Sequence, residues 1–331
     1  MKVYSGGAVA LGERVVVDGY LDGVPIRVQS HAHEDHLHSW NTSKQWQRIV
    51  CLDATRDLLI AKRNADLPYR NNLIGLCEGS DYEGISLFNS GHMLGSAQTL
   101  VETPDGVRVG YSGDFSWPLE RVIHTDYLVL DATYSTWTTY REFHQGEAED
   151  ALVELVNRLL KRGKRVYIKC LPGTLERALE CLSDRVPYPI LLGTKGAREC
   201  AVYAMHGFAF PEFLVSDGLS QDETVAGSSV YVRLMLSEGG RQSVPVDAAY
   251  IALSGFRVSG SSPVVSISGD SYFQVGLSDH ADFSQVVEYV KASGAQHVLV
   301  DNTRGGRAVE CARNLREALS VEVSYRVHDR E

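Results

Sequence analysis

Short runs of apolar residues, broken every few positions by glycine, aspartate or proline, occupy the first 130 residues. They predict strands rather than helices. Arg14-Val15-Val16-Val17-Asp18 and Val24-Pro25-Ile26-Arg27-Val28-Gln29 are two of these. Others are expected at 84–89, at 97–103 and 107–112 as a hairpin across Pro104-Asp105-Gly106, and at 126–130. Residues 53–65 read as a helix with Asp53 as its cap. From about residue 145 the period lengthens. An amphipathic helix is predicted over 147–160, then a strand at 166–170, a turn at Leu171-Pro172-Gly173-Thr174 and a helix over 175–182. Strand 189–193 and helix 197–205 repeat that order. Strand 272–276, helix 283–292 and strand 296–301 close the chain.

This order predicts an α/β fold. Residues 1–145 and 255–331 share one pattern, and 146–254 reads as an inserted βαβ-type module. A chain of 331 residues, 44% hydrophobic, can bury a large core. No apolar run approaches the ~20 residues that span a bilayer. The first residues lack the apolar segment of a signal peptide, and the six cysteines are scattered without a C-x-x-C pair. Both features lead to the expectation of reduced thiols in a cytoplasmic protein. A net charge of −10 argues against broad binding to polyanions but leaves room for a local basic groove. The basic run 161–165 suits a helix C-terminus and needs no nucleic acid to explain it.

Chemistry collects where the strands end. After strand 24–29 comes Ser30-His31-Ala32-His33-Glu34-Asp35-His36, an H-x-H-x-D-H spacing. After 84–89 comes Ser90-Gly91-His92. The hairpin delivers Ser112-Gly113-Asp114, strand 126–130 ends at Asp131, and strand 272–276 runs into Leu277-Ser278-Asp279-His280. Carboxyl ends of strands are where open α/β sheets place ligands. Asp18 is read either as a carboxylate orienting a ligand histidine or as an ordinary turn residue. His31, His33, Asp35, His36, His92, Asp114 and His280 make seven ligand-type side chains, more than one closed zinc site needs. Two ions bridged by Asp114 use them all. One would take His31, His33, His92 and Asp114, the other Asp35, His36, His280 and Asp114. Two zinc ions, with manganese or iron as substitutes, would trap a hydroxide between them.

The ordered series His31-x-His33-x-Asp35-His36, His92, Asp114 resembles the metallo-β-lactamase superfamily. With Asp131, the insertion, and His280 in Leu277-Ser278-Asp279-His280-Ala281-Asp282, it is similar to the β-CASP nuclease branch. Ligase-associated and Artemis-like DNA exonucleases are the nearest in pattern, beside nucleases of the mRNA 3′-end processing type. The resemblance implies an αβ/βα sandwich with an α/β cap, and a phosphodiesterase acting on DNA from a 5′ end, ahead of RNA. It makes Asp35, Asp114 and Asp131 the catalytic acids. Ser254-Gly255-Phe256-Arg257 is similar to the Ser/Thr-Gly-aromatic of DNA-directed members. It marks Ser254 as a substrate contact, and Arg257 as a phosphate contact or a surface arginine. The insertion's usual Gly-Arg reads Gly173-Thr174 here, which leaves Thr174 as the residue expected to face substrate. The expected partner is a DNA or RNA strand, not a membrane, and a homodimer is admitted. A small-molecule hydrolase of thioesters or lactams, and a non-catalytic nucleic-acid-binding homologue, are the alternatives.

Overall fold

The computed structural model describes residues 1–63, 66–134, 136–237, 245–255, 258, 260–301, 303–304 and 307–328. Among them the chain forms three seven-stranded sheets and eight α-helices, a mixed α/β structure. It divides into two compact units, residues 1–138 with 279–331, and residues 139–278.

In the first unit two sheets face each other. The first runs in the order Val327–His328, Lys2–Tyr4, Val9–Leu11, Val15–Val17, Ile26–Val28, Arg48–Leu52, Leu73–Leu76. The second runs Glu322–Ser324, His297–Val300, Tyr127–Leu130, Arg108–Tyr111, Ala97–Glu102, Ile85–Asn89, Asp81–Tyr82. Side-chain alternation sets the layers. Val129 and Leu299 point into the core between the sheets, with Val15, Val17 and Val28 opposite. Their neighbours Leu128, Leu130, Val298 and Val300 point the other way, onto Phe283, Val286, Tyr289 and Leu315 of helices Phe283–Ser293 and Ala308–Ala318. Strands covered on both faces read as continuous apolar runs, which is why the sequence shows runs where a half-exposed sheet would show alternation.

In the second unit the third sheet runs Leu214–Val215, Ile190–Leu192, Val232–Leu236, Val166–Cys170, Ala249–Leu253, Tyr272–Val275, Val264–Ser268, and is parallel except at its last strand. Helices Gln145–Lys161 and Thr174–Leu182 bury Leu152, Leu155, Leu159 and Leu175, Leu179, Leu182 against Val166, Ile168 and Cys170. These spacings of three and four follow the helical period.

Two differences from the sequence expectation stand out. Strand Tyr272–Val275 pairs with Ala249–Leu253 in the third sheet and so sits with the inserted residues, whereas its position in the chain placed it with the first pattern. A period-two stretch of four residues fits any sheet equally well, and only the neighbour decides. Helix Trp40–Trp46, directly after the histidine loop, had no apolar stripe to announce it, and it buries only Trp40 and Ser43.

The loops at the strand ends are tied together by backbone groups. Ala97 N donates to Ser30 O at 2.9 Å, Ser116 N to Ser90 O at 3.0 Å, and Ala281 N to Phe115 O at 2.7 Å. Gly95 brings the His92 loop against helix Asp53–Arg63: a Cβ there would stand 2.4 Å from Thr55 N, at a φ of +74°. Gly95→Ala is therefore expected to cost about 2 kcal/mol or more of stability, read from the urea midpoint. An unchanged midpoint would contradict this close approach.

Candidate metal centre

The histidine loop begins where Ile26–Val28 ends and continues into a 3₁₀ turn at Glu34–His36. Its anchor is Arg27, fully buried. Arg27 donates to His36 O and His38 O, each at 2.9 Å, to Ser43 Oγ at 2.9 Å and to Gln29 Oε1 at 2.7 and 3.1 Å. Burial lowers its pKa to about 9. Two carbonyls of the turn, those of His36 and His38, converge on one guanidinium, which restricts the turn and so where its imidazoles project.

Four imidazoles, two from this loop and two from the loops of His92 and His280, meet on a single oxygen. Asp114 Oδ2 lies 3.3 Å from His36 Nε2, 3.7 Å from His31 Nε2, 3.8 Å from His92 Nε2 and 4.0 Å from His280 Nε2. His33 Nδ1 stands 3.1 Å from both His31 Nε2 and His92 Nε2. Two donors bound ~2.0–2.2 Å from one tetrahedral cation stand ~3.3–3.6 Å apart, so these separations fit a shared ion better than hydrogen bonds. His31, His33, His92 and Asp114 form a group whose ligand atoms all lie within 4.8 Å of one another. His36 Nε2 is buried and has no hydrogen-bond partner, which a buried ring nitrogen tolerates poorly. A buried set of imidazoles and a carboxylate suits a borderline cation. The residues therefore fit a metal ion.

Each ring is held from behind, which directs its other nitrogen inward. Asp18 Oδ2 takes His36 Nδ1 at 2.7 Å, Ser30 Oγ meets His31 Nδ1 at 2.9 Å, Asp279 O takes His92 Nδ1 at 3.1 Å and Asp131 Oδ2 meets His280 Nδ1 at 3.3 Å. Such partners set tautomer and ring orientation. Asp18 itself is strained, with φ +53°, and accepts from Ser30 N at 2.8 Å, Ser30 Oγ at 2.6 Å and Gln29 Nε2 at 3.1 Å. Of the two readings left open for Asp18 by the sequence, the structure gives the orienting one. Asp131 is locked by Thr133 N at 2.9 Å and Thr133 Oγ1 at 2.8 Å.

The electrostatics follow from the burial. Burial raises the pKa of Asp114, but His36, His31 and His280 outweigh it and hold the carboxyl well below its usual range. Burial and Arg304 act against charge on His36, yet Asp114 and Asp18 prevail and lift it to about 10. Burial, with His36 beside it, pushes His31 well down. Burial, with His280, pushes His92 down. Arg304 completes the surroundings: it donates to Asp301 Oδ2 at 2.7 Å and Tyr111 Oη at 3.4 Å, and also reaches Gly7 O. The sequence reading passed over Arg304, Arg27 and Ser30, whose partners lie up to 297 residues away in the chain.

Asp35 stands apart. Its side chain is 62% exposed, with Oδ2 3.9 Å from His36 Nε2. Ser254 and Thr174 belong to the other unit. Ser254 N donates to Val275 O at 3.0 Å, and Thr174 Oγ1 closes its own turn on Leu171 O at 2.9 Å. Arg257 lies outside the described residues.

A search of family models finds no match. A protein of Acidianus ambivalens described as "Uncharacterized protein in lig 3′region" is 36% identical over 103 residues, 30% of this chain and 71% of that protein. The chain belongs to that protein's family. A "Probable DNA ligase" of Opitutus terrae is 25% identical over 313 residues, 87% of this chain. The transcription termination factor FttA of Thermococcus kodakarensis is 26% identical over 242 residues, 60% of this chain. The chain spans only 27% of the ligase and 36% of the termination factor. A crystal structure of a protein of unknown function from Enterococcus faecalis shares the fold, with a TM-score of 0.55 at 15% identity over 83% of this chain and 74% of that one.

Two outcomes follow. Asp18→Asn is expected to weaken the binding of an added divalent cation, with zinc as the probe, about 10- to 100-fold, measured by competition with a chromophoric chelator. Unchanged affinity would show that the His36 ring needs no such orientation. Arg27→Met is expected to lower stability by about 3 kcal/mol, since the carbonyls of His36 and His38 lose a buried charged donor. A thermal or urea melt measures the loss.

Proposed function

We propose that this chain is a metal-dependent phosphodiesterase that hydrolyses nucleic acid, DNA from a 5′ end ahead of RNA. The observation that carries the reading is the meeting of His31, His36, His92 and His280 on one buried oxygen of Asp114. In this reading residues 1–138 with 279–331 are a metallo-β-lactamase αβ/βα sandwich, and residues 139–278, strand Tyr272–Val275 among them, are an inserted β-CASP domain. Two zinc ions would be held, one by His31, His33, His92 and Asp114, the other by Asp35, His36, His280 and Asp114. When bound, such a pair supplies a hydroxide nucleophile near neutral pH and offsets the charge growing on phosphorus.

The chain's own residues have distinct tasks. Asp114 fixes the spacing between the two sets of ligands. Asp131 retains the proton of His280 Nδ1, so that Nε2 faces inward. Asp35, open to solvent, would meet the phosphodiester directly. Ser254 and Arg257 are proposed to contact the strand. Thr174, whose hydroxyl is spent on its own turn, would contribute through the backbone there. The names of the relatives support a nucleic-acid substrate. That matched residues share one polypeptide with a protein named as a DNA ligase, and that another relative lies in a lig 3′ region, favours DNA over RNA.

The test uses purified protein with zinc or manganese and end-labelled DNA and RNA. Short 5′-labelled products from DNA, lost with chelator, are expected. Asp114→Asn and Asp35→Ala should each lower the rate about 10²-fold or more. No cleavage of any DNA or RNA, with wild type and Asp35→Ala alike, would overturn the proposal.

A further inference from the structure

The second unit contains a cavity of about 640 Å³ at the carboxyl ends of two adjacent parallel strands, Ile190–Leu192 and Val232–Leu236. Gly193 leaves the first strand and opens the twelve-residue helix Thr194–Met205. That helix points its N-terminal end at the cavity. Lys195, Arg198 and Arg233 line the same end, with Asp217, while Leu175, Leu219 and Leu236 form an apolar wall.

Arg233 is the unusual member. It is only 7% exposed, and burying a guanidinium requires partners on all sides. Its Nη1 has them, Asp222 Oδ1 at 3.1 Å and Leu192 O at 3.2 Å. Its Nε is buried with no hydrogen-bond partner. The Nη2 corner of the same edge lies 3.4 Å from the place where a Cβ on Gly193 would sit, so a glycine there keeps space beside the guanidinium. The Nε–Nη2 edge of arginine is a planar fork that matches two oxygens of a phosphate. A helix N-terminus beside it favours the same charge.

We propose that this cavity binds a terminal phosphate of a nucleotide, held between the unpaired edge of Arg233 and the first turn of helix Thr194–Met205, with the nucleoside against the leucine wall. Lys195, Arg198 and Arg233 line the cavity with a single carboxylate, Asp217, while Asp222 holds Arg233 from outside the lining. Asp217 is occupied with Thr194, whose amide it accepts at 3.1 Å and whose hydroxyl it also binds, so it fixes the start of the helix. The apolar wall and the volume exceed what a bare anion needs and suit a small organic ligand. The same chemistry is presented by a free nucleoside monophosphate and by the 5′ end of a strand. The site belongs to a different unit from the metal centre and does not depend on the hydrolase reading.

The test is calorimetric titration of the whole chain in chelator, which removes metal-bound phosphate from the measurement. The probes are inorganic phosphate, dAMP, deoxyadenosine, and one oligonucleotide with either a 5′-phosphate or a 5′-hydroxyl. Saturable binding of dAMP, of the 5′-phosphorylated oligonucleotide, or of both is expected, without binding of the forms that lack phosphate. Which of the two binds tighter tells the free nucleotide from the strand end. Lys195 and Arg198 are exposed, so the double variant K195Q/R198Q should fold normally and bind about tenfold more weakly. Arg233→Met should do the same or worse. The proposal fails if neither phosphorylated probe binds, if the 5′-hydroxyl strand binds equally well, or if K195Q/R198Q binds like wild type.

Discussion

One buried carboxylate oxygen with four imidazole nitrogens turned toward it governs the first unit. Asp114 is 7% exposed, and a charge so placed is tolerable only with compensating positive charge close by. The nitrogens at 3.3 to 4.0 Å stand too far for a set of good hydrogen bonds. They are at the spacing from which several donors can share something smaller placed between them. Asp114 and Asp18 together raise the pKa of His36 against the opposing pull of burial.

That constraint explains the architecture around it. Four imidazoles and a carboxylate can be brought to one point only if several strands end at the same edge and their loops are stiff. Parallel strands buried on both faces supply the shared edge: Val129 and Leu299 fill the space between the sheets while Leu128 and Val298 seat the helices. Stiffness comes from backbone bonds between loops. Ala281 N on Phe115 O sets the residue after His280 beside the residue after Asp114, and the capping box at Asp282 and Gln285 begins a helix at once. Little is left to side-chain entropy, which a site of this density could not withstand.

The sequence shows the inward half of this site and hides part of the outward half. Side chains that chemistry marks, histidine and aspartate just past an apolar run, are visible as letters, and the loops bearing His31, His92, Asp114 and His280 could be set down in advance. Of the groups that hold them, Asp18 and Asp131 are marked in the same way and the others are not. Ser30, the carbonyl of Asp279 and the guanidinium of Arg27 look like any loop serine, any peptide bond and any strand arginine. Arg27 is fully buried in a strand whose alternation would have put a charge outside. Periodicity failed in the same way for Tyr272–Val275: a strand's own residues show that it pairs, while the identity of its neighbour resides in the rest of the chain.

A common device links the two halves. A polar group with two ends is pinned at one end so that the other faces the working space. Asp18 pins His36, Ser30 pins His31, the Asp279 carbonyl pins His92 and Asp131 pins His280, in each case through Nδ1, leaving Nε2 inward. In the second unit Asp222 and the Leu192 carbonyl pin Arg233 through Nη1 and leave its Nε without a partner. A buried donor that is pinned at one end and unmatched at the other costs the free protein stability.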